Sequence, residues 1–465
     1  MVRMCGLYYL LFSICPLIPI TEVAADDVAD LVTLLKSDQP KVRYDAARSL
    51  NKFGAKAKPA IKPLIAALKD DGAPTEFGIQ ILGPRVRDAA SDALVRIGRP
   101  AVPALIEALS HKNNTTREMA AKTLGELGPL AKNSISTLTK TLDDPEDEVR
   151  CSAIGAIVRV GAEPKVVVPL LEQIFRSSQN NDFIRVWVLE ALHDADPQGT
   201  MVIPILVEGL KDSNGDVMSA AARTLEIFGA KGGLAANELN KALATTKVRW
   251  DIVADVGFTV PVRIDVVRAL AAIGPDAAVA EPSLIRLMEH DKNETIRIWS
   301  AAALVRITPD KPAAKQGMTL LLQTLEDGYQ DMAAEALGAI GNETAITALI
   351  DALQTPDMSK YGTFRVTVAS ALGKIGPPAK AAVPILRTAL LEKRESHFGV
   401  RCASAIALGK MGAAAKSAIP DLSGLSHSDD EYLRDVAAEA IEKIKKKSAG
   451  SNTSDGVENK PSNIK

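Results

Sequence analysis

Residues 42–68 read VRYDAARSLNKFGAKAKPAIKPLIAAL, and this phrase decides the fold. Arg43 opens it, and Gly54 stands 11 residues later. Between them, Ala and Leu recur at the spacing of one helical face, and glycine suits the position just past a helix end. A second apolar face, in residues 61–68, follows a proline-containing start. The phrase therefore predicts two helices, A and B, joined by a tight turn.

The same phrase recurs along nearly the whole chain. Strong copies share an Arg and a Gly 11 residues apart: Arg43/Gly54, Arg87/Gly98, Arg117/Gly128, Arg150/Gly161, Arg263/Gly274, Arg365/Gly376 and Arg401/Gly412. Weaker copies are anchored at Arg185, Met218, Arg297, Gln330 and Arg434. The steps between anchors are 44, 30, 33, 35, 33, 45, 34, 33, 35, 36 and 33 residues. A period near 34 predicts an all-α solenoid of about twelve helix pairs.

The repeated phrase resembles the HEAT repeat, most closely the bacterial phycobilisome-lyase HEAT-like branch. Its clearest copies are Val42–Leu68, Val86–Leu109, Val149–Ile174 and Val400–Leu425, and the resemblance covers about 31–444. It implies a right-handed superhelix in which A helices form the convex side and B helices line a concave groove. It also implies that binding a partner protein is the usual work of such a chain.

Enzyme branches of the same family require specific residues, which can be looked for in this sequence. The deoxyhypusine hydroxylase type needs His-Glu pairs for iron, but the five His are followed by Lys, Asp, Asp, Phe and Ser. The alkylpurine DNA glycosylase type needs a basic cleft, which the sequence does not suggest. We therefore predict no catalytic residue, cofactor or metal. The alternative is a lyase-like or redox-accessory enzyme that holds a cofactor in the groove.

The N-terminus has the layout of a secretory signal. Arg3 precedes an apolar run, Leu7–Ile20, and the small residues Val23-Ala24-Ala25 follow it. We expect a signal peptide over 1–25, a solenoid over 26–447 and a disordered polar tail over 448–465. An uncleaved membrane anchor is the alternative. The protein is expected to be exported, periplasmic or extracellular, without membrane insertion after cleavage.

The net charge and the charge pattern indicate which class of partner the chain binds. A net charge of −2 gives no global basic field for nucleic acid or an anionic membrane. One position of each B helix samples the groove: Ala66, Glu107, Lys140, Glu172, Glu208, Lys241, Arg286, Gln323, Asp351 and Thr388. Because the signs alternate, we expect a mixed-charge protein partner, no nucleic acid, and a monomeric chain.

Acidic residues stand five or six positions before many anchors, at Asp38, Asp144, Asp212, Asp291 and Asp429. They are expected to cap helices and to join the anchor arginines of adjoining repeats in a row of charge-assisted bonds. The acidic run 143–148 is also assigned to helix capping rather than to calcium. Cys151 and Cys402, which follow anchor arginines seven repeats apart, are interpreted as unpaired apolar fillers.

Two connections, 70–84 and 244–262, are about ten residues longer than the others. Aromatic residues are scarce, so those in the long or enlarged connections are candidate partner-binding residues. They are Phe77, Arg249, Trp250, Phe258, Tyr361 and Phe364, with Phe398 nearby. Alternatively, the rings fold back onto the stack. Trp187 and Trp299, each two residues after an anchor, are expected to pack between repeats. The sequence thus favours a non-catalytic scaffold of the cell envelope.

Overall fold

The computed structural model describes residues 27–74, 84–178, 181–244, 262–326, 330–355, 363–392, 398–425, 428 and 430–450. Their regular structure is helical, and these ranges contain no β-strand. No helix within them is long and apolar enough to span a bilayer. The expected signal peptide and the tail beyond residue 450 lie outside the described residues.

Eleven A–B helix pairs follow one another in the described ranges. The A helices are α2 (Pro40–Phe53), α4 (Val86–Ile97), α6 (Asn114–Leu127), α8 (Asp147–Arg159), α10 (Asp182–Ala195), α12 (Gly215–Phe228), α14 (Val262–Ile273), α16 (Glu294–Ile307), α18 (Gln330–Ile340), α20 (Thr363–Ile375) and α22 (Phe398–Met411). The B helices are α3 (Ile61–Ala67), α5 (Val102–Ala108), α7 (Ile135–Thr141), α9 (Pro164–Ser177), α11 (Ile203–Gly209), α13 (Ala236–Ala242), α15 (Glu281–His290), α17 (Pro312–Glu326), α19 (Glu343–Gln354), α21 (Val383–Leu390) and α23 (Ile419–Gly424).

Single helices stand at the two ends of this series. Helix α1 (Val28–Leu34) precedes the first pair, and α24 (Glu431–Gly450) follows the last one. The prediction of an all-α solenoid of about twelve helix pairs is confirmed. Helix α24 continues to Gly450, three residues beyond the predicted end of the solenoid at 447.

The described residues form two compact units, divided between Asp265 and Val266 near the start of α14. In the first unit α2 packs on α4, α6 on α8 and α10 on α12. In the second unit α18 packs on α20, α20 on α22 and α22 on α24. Each unit is therefore a row of A helices that contact their sequence neighbours.

In most pairs a glycine follows the A helix and makes the turn possible, whereas α10 and α16 end at Asp196 and Thr308. Gly54 has φ 52° and ψ −130°, and Gly98 has φ 80° and ψ −144°. These angles lie outside the left-handed helical region and in a region that only glycine enters without strain. The chain then passes through a short 3₁₀ segment, Gly54–Ala60 in the first pair, before the B helix begins.

Neighbouring A helices approach closely where small residues cross. A Cβ atom on Gly125 would lie 3.0 Å from Cα of Ala156, and one on Gly373 would lie 2.8 Å from Cα of Ala407. The leucine beside each crossing glycine, Leu124 or Leu372, is fully buried. Small residues at these crossings therefore let neighbouring A helices approach closely.

Cys151 and Cys402 are buried and unpaired, as predicted. Burial raises the pKa of each thiol to about 12, so both remain protonated at neutral pH. They fill space between helices rather than offering a nucleophile.

Candidate functional site

Anchor arginines and acidic residues form ion pairs between successive repeats. In four described pairs, which we call the arginine ladder, the acid lies 27 residues after the arginine: Arg43–Asp70, Arg117–Asp144, Arg185–Asp212 and Arg365–Glu392. At Arg117, Nε and Nη2 each lie 2.8 Å from an oxygen of Asp144. This two-pronged geometry suits the planar guanidinium.

The same guanidinium groups also bind the backbone of the loop before their own helix. Nη1 of Arg117 donates to the carbonyl of His111 at 3.0 Å, and Nη1 of Arg150 donates to the carbonyl of Asp144 at 2.6 Å. Asp144 therefore receives Arg117 on its carboxylate and Arg150 on its carbonyl. At Asp144 the B-to-A loop is thus tied to both neighbouring repeats, which gives the arginines the structural role that the sequence predicts.

The arginine ladder lowers the pKa of two of its carboxyl groups. Burial raises the pKa of Asp144, but hydrogen bonds from Arg117 and from the Glu146 N–H lower it more, so the pKa lies below the ordinary value. The pKa of Asp70 is lowered in the same way by Arg43 and the Gly72 N–H. Both groups are charged at neutral pH and are already occupied by protein partners.

The prediction that the acids before the anchors cap the helices is wrong. The carboxylates of Asp144, Asp212 and Asp291 accept from the N–H two residues later, within the loop. Side-chain capping in the following helices comes from Asn214 and Asn293. Asp38 contributes its carbonyl to Arg43, and Asp429 lies outside the described residues.

The acidic run 143–148 has no vacant cation cage. The carboxylate of Asp144 binds Arg117, and that of Asp147 binds Arg150 and accepts from Asn181 Nδ2 at 2.9 Å. Across the described part of the chain, no group of three or more His, Cys, Asp or Glu side chains could hold a metal ion. The carboxylates serve ion pairs rather than the predicted caps.

Most of the candidate aromatic and basic residues cannot be placed. Phe77, Arg249, Trp250, Phe258 and Tyr361 lie outside the described residues, so their predicted role remains a prediction. Phe364 lies half-buried in the first turn of α20.

The other aromatic residues divide between packing and exposure. Trp299 is buried, with the Arg268 guanidinium 4.4 Å from its ring centre, so it packs between α14 and α16 as predicted. Trp187 remains 37% exposed, and the ring it contacts, Phe183 at 6.4 Å, lies on its own helix. The packing of Trp187 between repeats therefore stays a prediction. Phe398 lies 6.5 Å from Tyr432, across α22 and α24.

One exposed position on every B helix lies two residues after a buried leucine, and we call the set the B-face row. It comprises Ala66, Glu107, Lys140, Gln173, Glu208 and Lys241 in the first unit and Arg286, Gln323, Asp351, Thr388 and Gly424 in the second. The sequence analysis placed Glu172 in this row. That register is off by one, because Leu171 is the buried leucine of α9 and Gln173 is its exposed partner.

The row mixes signs and neutral groups in both units, as predicted. Some of its charges pair with neighbours: Arg176 lies 2.8 Å from Glu172 and 3.1 Å from Glu208, which joins α9 to α11. The face that the B helices present is thus polar and balanced, with no titratable cluster and no dominant sign.

Comparison with protein families agrees with this geometry. A model of HEAT repeats matches residues 79–158 and 359–442, and a model of the PBS lyase HEAT-like repeat matches residues 42–70 and 330–355. These four stretches of the chain are similar to HEAT repeats. The predicted resemblance, including the phycobilisome-lyase type of repeat, is confirmed.

Two curated relatives share part of the chain. Phycocyanobilin lyase subunit alpha of Nostoc sp. strain PCC 7120 is 32% identical over 192 residues, which are 41% of this chain and 58% of that protein. Protein STU1 of Gibberella zeae is 26% identical over 241 residues, 49% of this chain and 19% of that protein. The chain thus matches little more than half of the first relative and a fifth of the second.

Solved structures share the fold. Kap95 in the Kap95:Nup1 complex superposes with a TM-score of 0.56 at 13% identity, over 96% of this chain and 71% of that chain. Yeast importin-β (Kap95p) gives 0.55 at 12% identity, with the same 96% and 71% coverage. Identities this low show a common HEAT solenoid architecture and nothing about the partner.

Two members of the arginine ladder, Asp70 and Glu392, were not among the acids named from the sequence. Each lies at the end of a B helix just before an enlarged connection, so neither stands five or six residues ahead of an anchor. A search for an acid 27 residues after each arginine finds both. The relevant signal in these HEAT repeats is the distance to the preceding anchor.

Proposed function

We propose that the protein is a non-catalytic scaffold of the cell envelope that binds another protein through its B-helix face or its long connections. The observation that carries the proposal is the B-face row: eleven exposed positions, one for each described B helix, with mixed charge. Such a surface offers many weak polar contacts along an extended partner. Its balanced signs suit a protein better than a polyanion.

Several features support this assignment. The perturbed carboxylates Asp70 and Asp144 are engaged by ladder arginines rather than directed into a cleft. HEAT solenoids of the same architecture include Kap95, which is known in complex with Nup1. The placement in the envelope depends on the signal-like segment 1–25.

Site-specific photo-crosslinking in the native host tests the B-face assignment. A photoreactive residue at Glu208, on B helix α11, is compared with one at Asp194, on A helix α10. Their side chains are 45% and 64% exposed, so accessibility alone favours the control. We expect a discrete adduct with one protein from position 208 and none from 194. Equal labelling at both positions, or none at either, would contradict a binding B face.

The long connection between α13 and α14 is tested separately. Replacing residues 245–261 with a short Gly/Ser linker should weaken partner capture while helix content and the melting temperature stay nearly unchanged. Undiminished capture would exclude this connection as the binding element. Fractionation of the host, with an antibody against the chain, tests the envelope location.

A lyase-like or redox-accessory role is the second candidate, and the identity with phycocyanobilin lyase subunit alpha favours it. Under this alternative the B-helix groove holds a cofactor. An absorption spectrum and metal analysis of protein purified from its own host separate the two candidates. A stoichiometric chromophore or metal would favour the enzyme and count against the scaffold.

A further inference from the structure

The two ends of the helix pairs differ in charge. At the end where each A helix turns into its B helix, the first four pairs carry eleven exposed cations: Arg48, Lys52, Lys56, Lys58, Lys62, Arg96, Arg99, Lys122, Lys132, Arg159 and Lys165. The exposed anions in the same turns are Asp92, Glu126 and Glu163. We call this surface the basic edge. It stands out in a chain whose net charge is −2.

Along the basic edge, the first repeat contacts the second and the third contacts the fourth. One shallow groove between α2 and α4 is lined by Arg48, Asn51, Lys52, Asp92, Val95 and Arg96. A Cβ atom on Gly54 would lie 3.7 Å from the carbonyl oxygen of Arg96, and one on Gly128 would lie 3.5 Å from that of Arg159. The turn of one repeat thus rests on the last residues of the next A helix, which brings the cations of adjacent repeats together.

Helix stability accounts for only some of these cations. Lys52, Arg96 and Arg159 lie in the last turn of A helices, where positive charge is favourable. Lys62 and Lys165, by contrast, stand at the second position of B helices, where the helix dipole disfavours positive charge. The edge therefore holds positive charge at positions where the fold gains nothing from it.

Exposed apolar side chains stand among these cations. Leu130, in the turn between α6 and α7, is 49% exposed, and Val166, at the third position of α9, is 51% exposed. Basic residues interspersed with exposed apolar ones suit the headgroup region of a bilayer, where charge meets anionic lipid and the apolar group enters the acyl boundary.

We propose that the basic edge docks the first four repeats onto an anionic phospholipid surface, as a peripheral contact without a membrane-spanning segment. The excess of exposed cations is largest in these repeats, and the turns of the last two pairs carry four exposed lysines, Lys374, Lys380, Lys410 and Lys416. In the fifth and sixth pairs, the exposed charged residues of the corresponding turns are Asp194 and Lys231, one of each sign. Lys231 donates to the carbonyl of Pro197 at 2.9 Å, so it serves the fold. This proposal does not depend on the protein-binding function.

Vesicle co-sedimentation with the purified protein tests the proposal. Vesicles of phosphatidylcholine alone are compared with vesicles that also contain phosphatidylglycerol. The edge variant is Lys52→Glu/Arg96→Glu/Arg159→Glu. The matched control, Lys140→Glu/Lys211→Glu/Lys241→Glu, reverses three exposed cations in or just after B helices of the same unit and has the same net charge. Circular dichroism verifies that both variants are folded.

We expect binding only to the anionic vesicles, with a loss of about tenfold or more in high salt because the charges are exposed. The edge variant should lose binding by about the same factor, while the matched control keeps it. Leu130→Ser/Val166→Ser should weaken binding about fivefold without removing the salt dependence. Equal losses in the edge and control variants would show a net-charge effect and overturn the proposal. Binding to poly-glutamate without binding to anionic vesicles would overturn the lipid assignment.

Discussion

The two edges of the first four repeats use the same residue types in opposite ways. At the edge where each B helix leads into the next A helix, the arginines of the ladder are mostly buried and paired. The side chains of Arg117 and Asp144, for example, are 13% and 9% exposed. At the basic edge, by contrast, the arginines are exposed and lie among other cations, as Arg96, Arg99 and Arg159 do. The residue type alone therefore does not tell which of the two roles an arginine in a repeat has. Its role depends on whether an acid stands where the guanidinium can reach it.

The largest expected effect on stability comes from removing the acid of one ion pair in the arginine ladder. Asp144→Ala leaves the mostly buried Arg117 guanidinium without its carboxylate, so it should lower the free energy of unfolding by about 3 kcal/mol. The matched control is Asp143→Ala, an exposed acid one residue earlier, which should change it by no more than about 0.5 kcal/mol. Urea denaturation followed by circular dichroism measures both. Equal shifts in the two variants would refute the structural role of the ladder.

Acid should remove the same contribution in the intact protein. The folded pKa of Asp144 lies below the ordinary 3.8, so its stabilisation is present above pH 3.8 and is lost as the pH falls through the folded pKa. The difference in urea midpoint between wild type and Asp144→Ala should therefore be large at neutral pH and shrink in acid. A difference that stays constant with pH would contradict the assignment of this carboxylate as charged and paired.

The A helices α6 and α8 cross near their C-terminal ends, at Gly125 and Ala156, where a methyl group has a smaller effect on stability. Gly125→Ala places Cβ 3.0 Å from Cα of Ala156 and should cost about 1 kcal/mol despite the better helix propensity of alanine. Gly155→Ala, on the adjoining A helix, meets no atom within 4 Å. It should stabilise by about 0.5 kcal/mol or more. If both variants change the melting temperature in the same direction, the glycine at 125 is not a packing requirement.

Charge removal at the basic edge should have the smallest effect on stability. Arg96→Ala and Lys132→Ala remove exposed side chains that project from a helix end and a turn. Each should change the free energy of unfolding by no more than about 0.5 kcal/mol. A loss comparable to that of Asp144→Ala would mean that the two edges do not differ in kind.

Much of the fold is predictable because one physical requirement is repeated. Most repeats use a glycine to leave helix A, a leucine to fill the core and small residues where A helices cross. Gly54, Leu50 and Ala46 carry these requirements visibly in the sequence. Repetition makes even weak copies, such as the one anchored at Met218, recognisable by their position.

The surface is harder to predict because several residues compete for each local role. Both Asp212 and Asn214 can cap a helix, and only the distance to Arg185 decides that the aspartate goes to the ladder. The pair Leu170-Leu171 leaves the register of α9 open until burial selects Leu171. The net charge of the chain does not reveal the basic edge, because acidic residues at the opposite edge offset its cations.

The central claim is that the ladder arginines stabilise the fold while the exposed arginines bind an external surface. Arg117→Ala and Arg159→Ala test it most directly, because each removes one positive charge from a neighbouring repeat. We predict that Arg117→Ala lowers the urea midpoint and leaves the affinity for phosphatidylglycerol vesicles unchanged. Arg159→Ala should leave the midpoint unchanged and weaken vesicle binding about fivefold, the effect of one cation near an anionic surface. If both variants move the same property and spare the other, the distinction between the two edges is wrong.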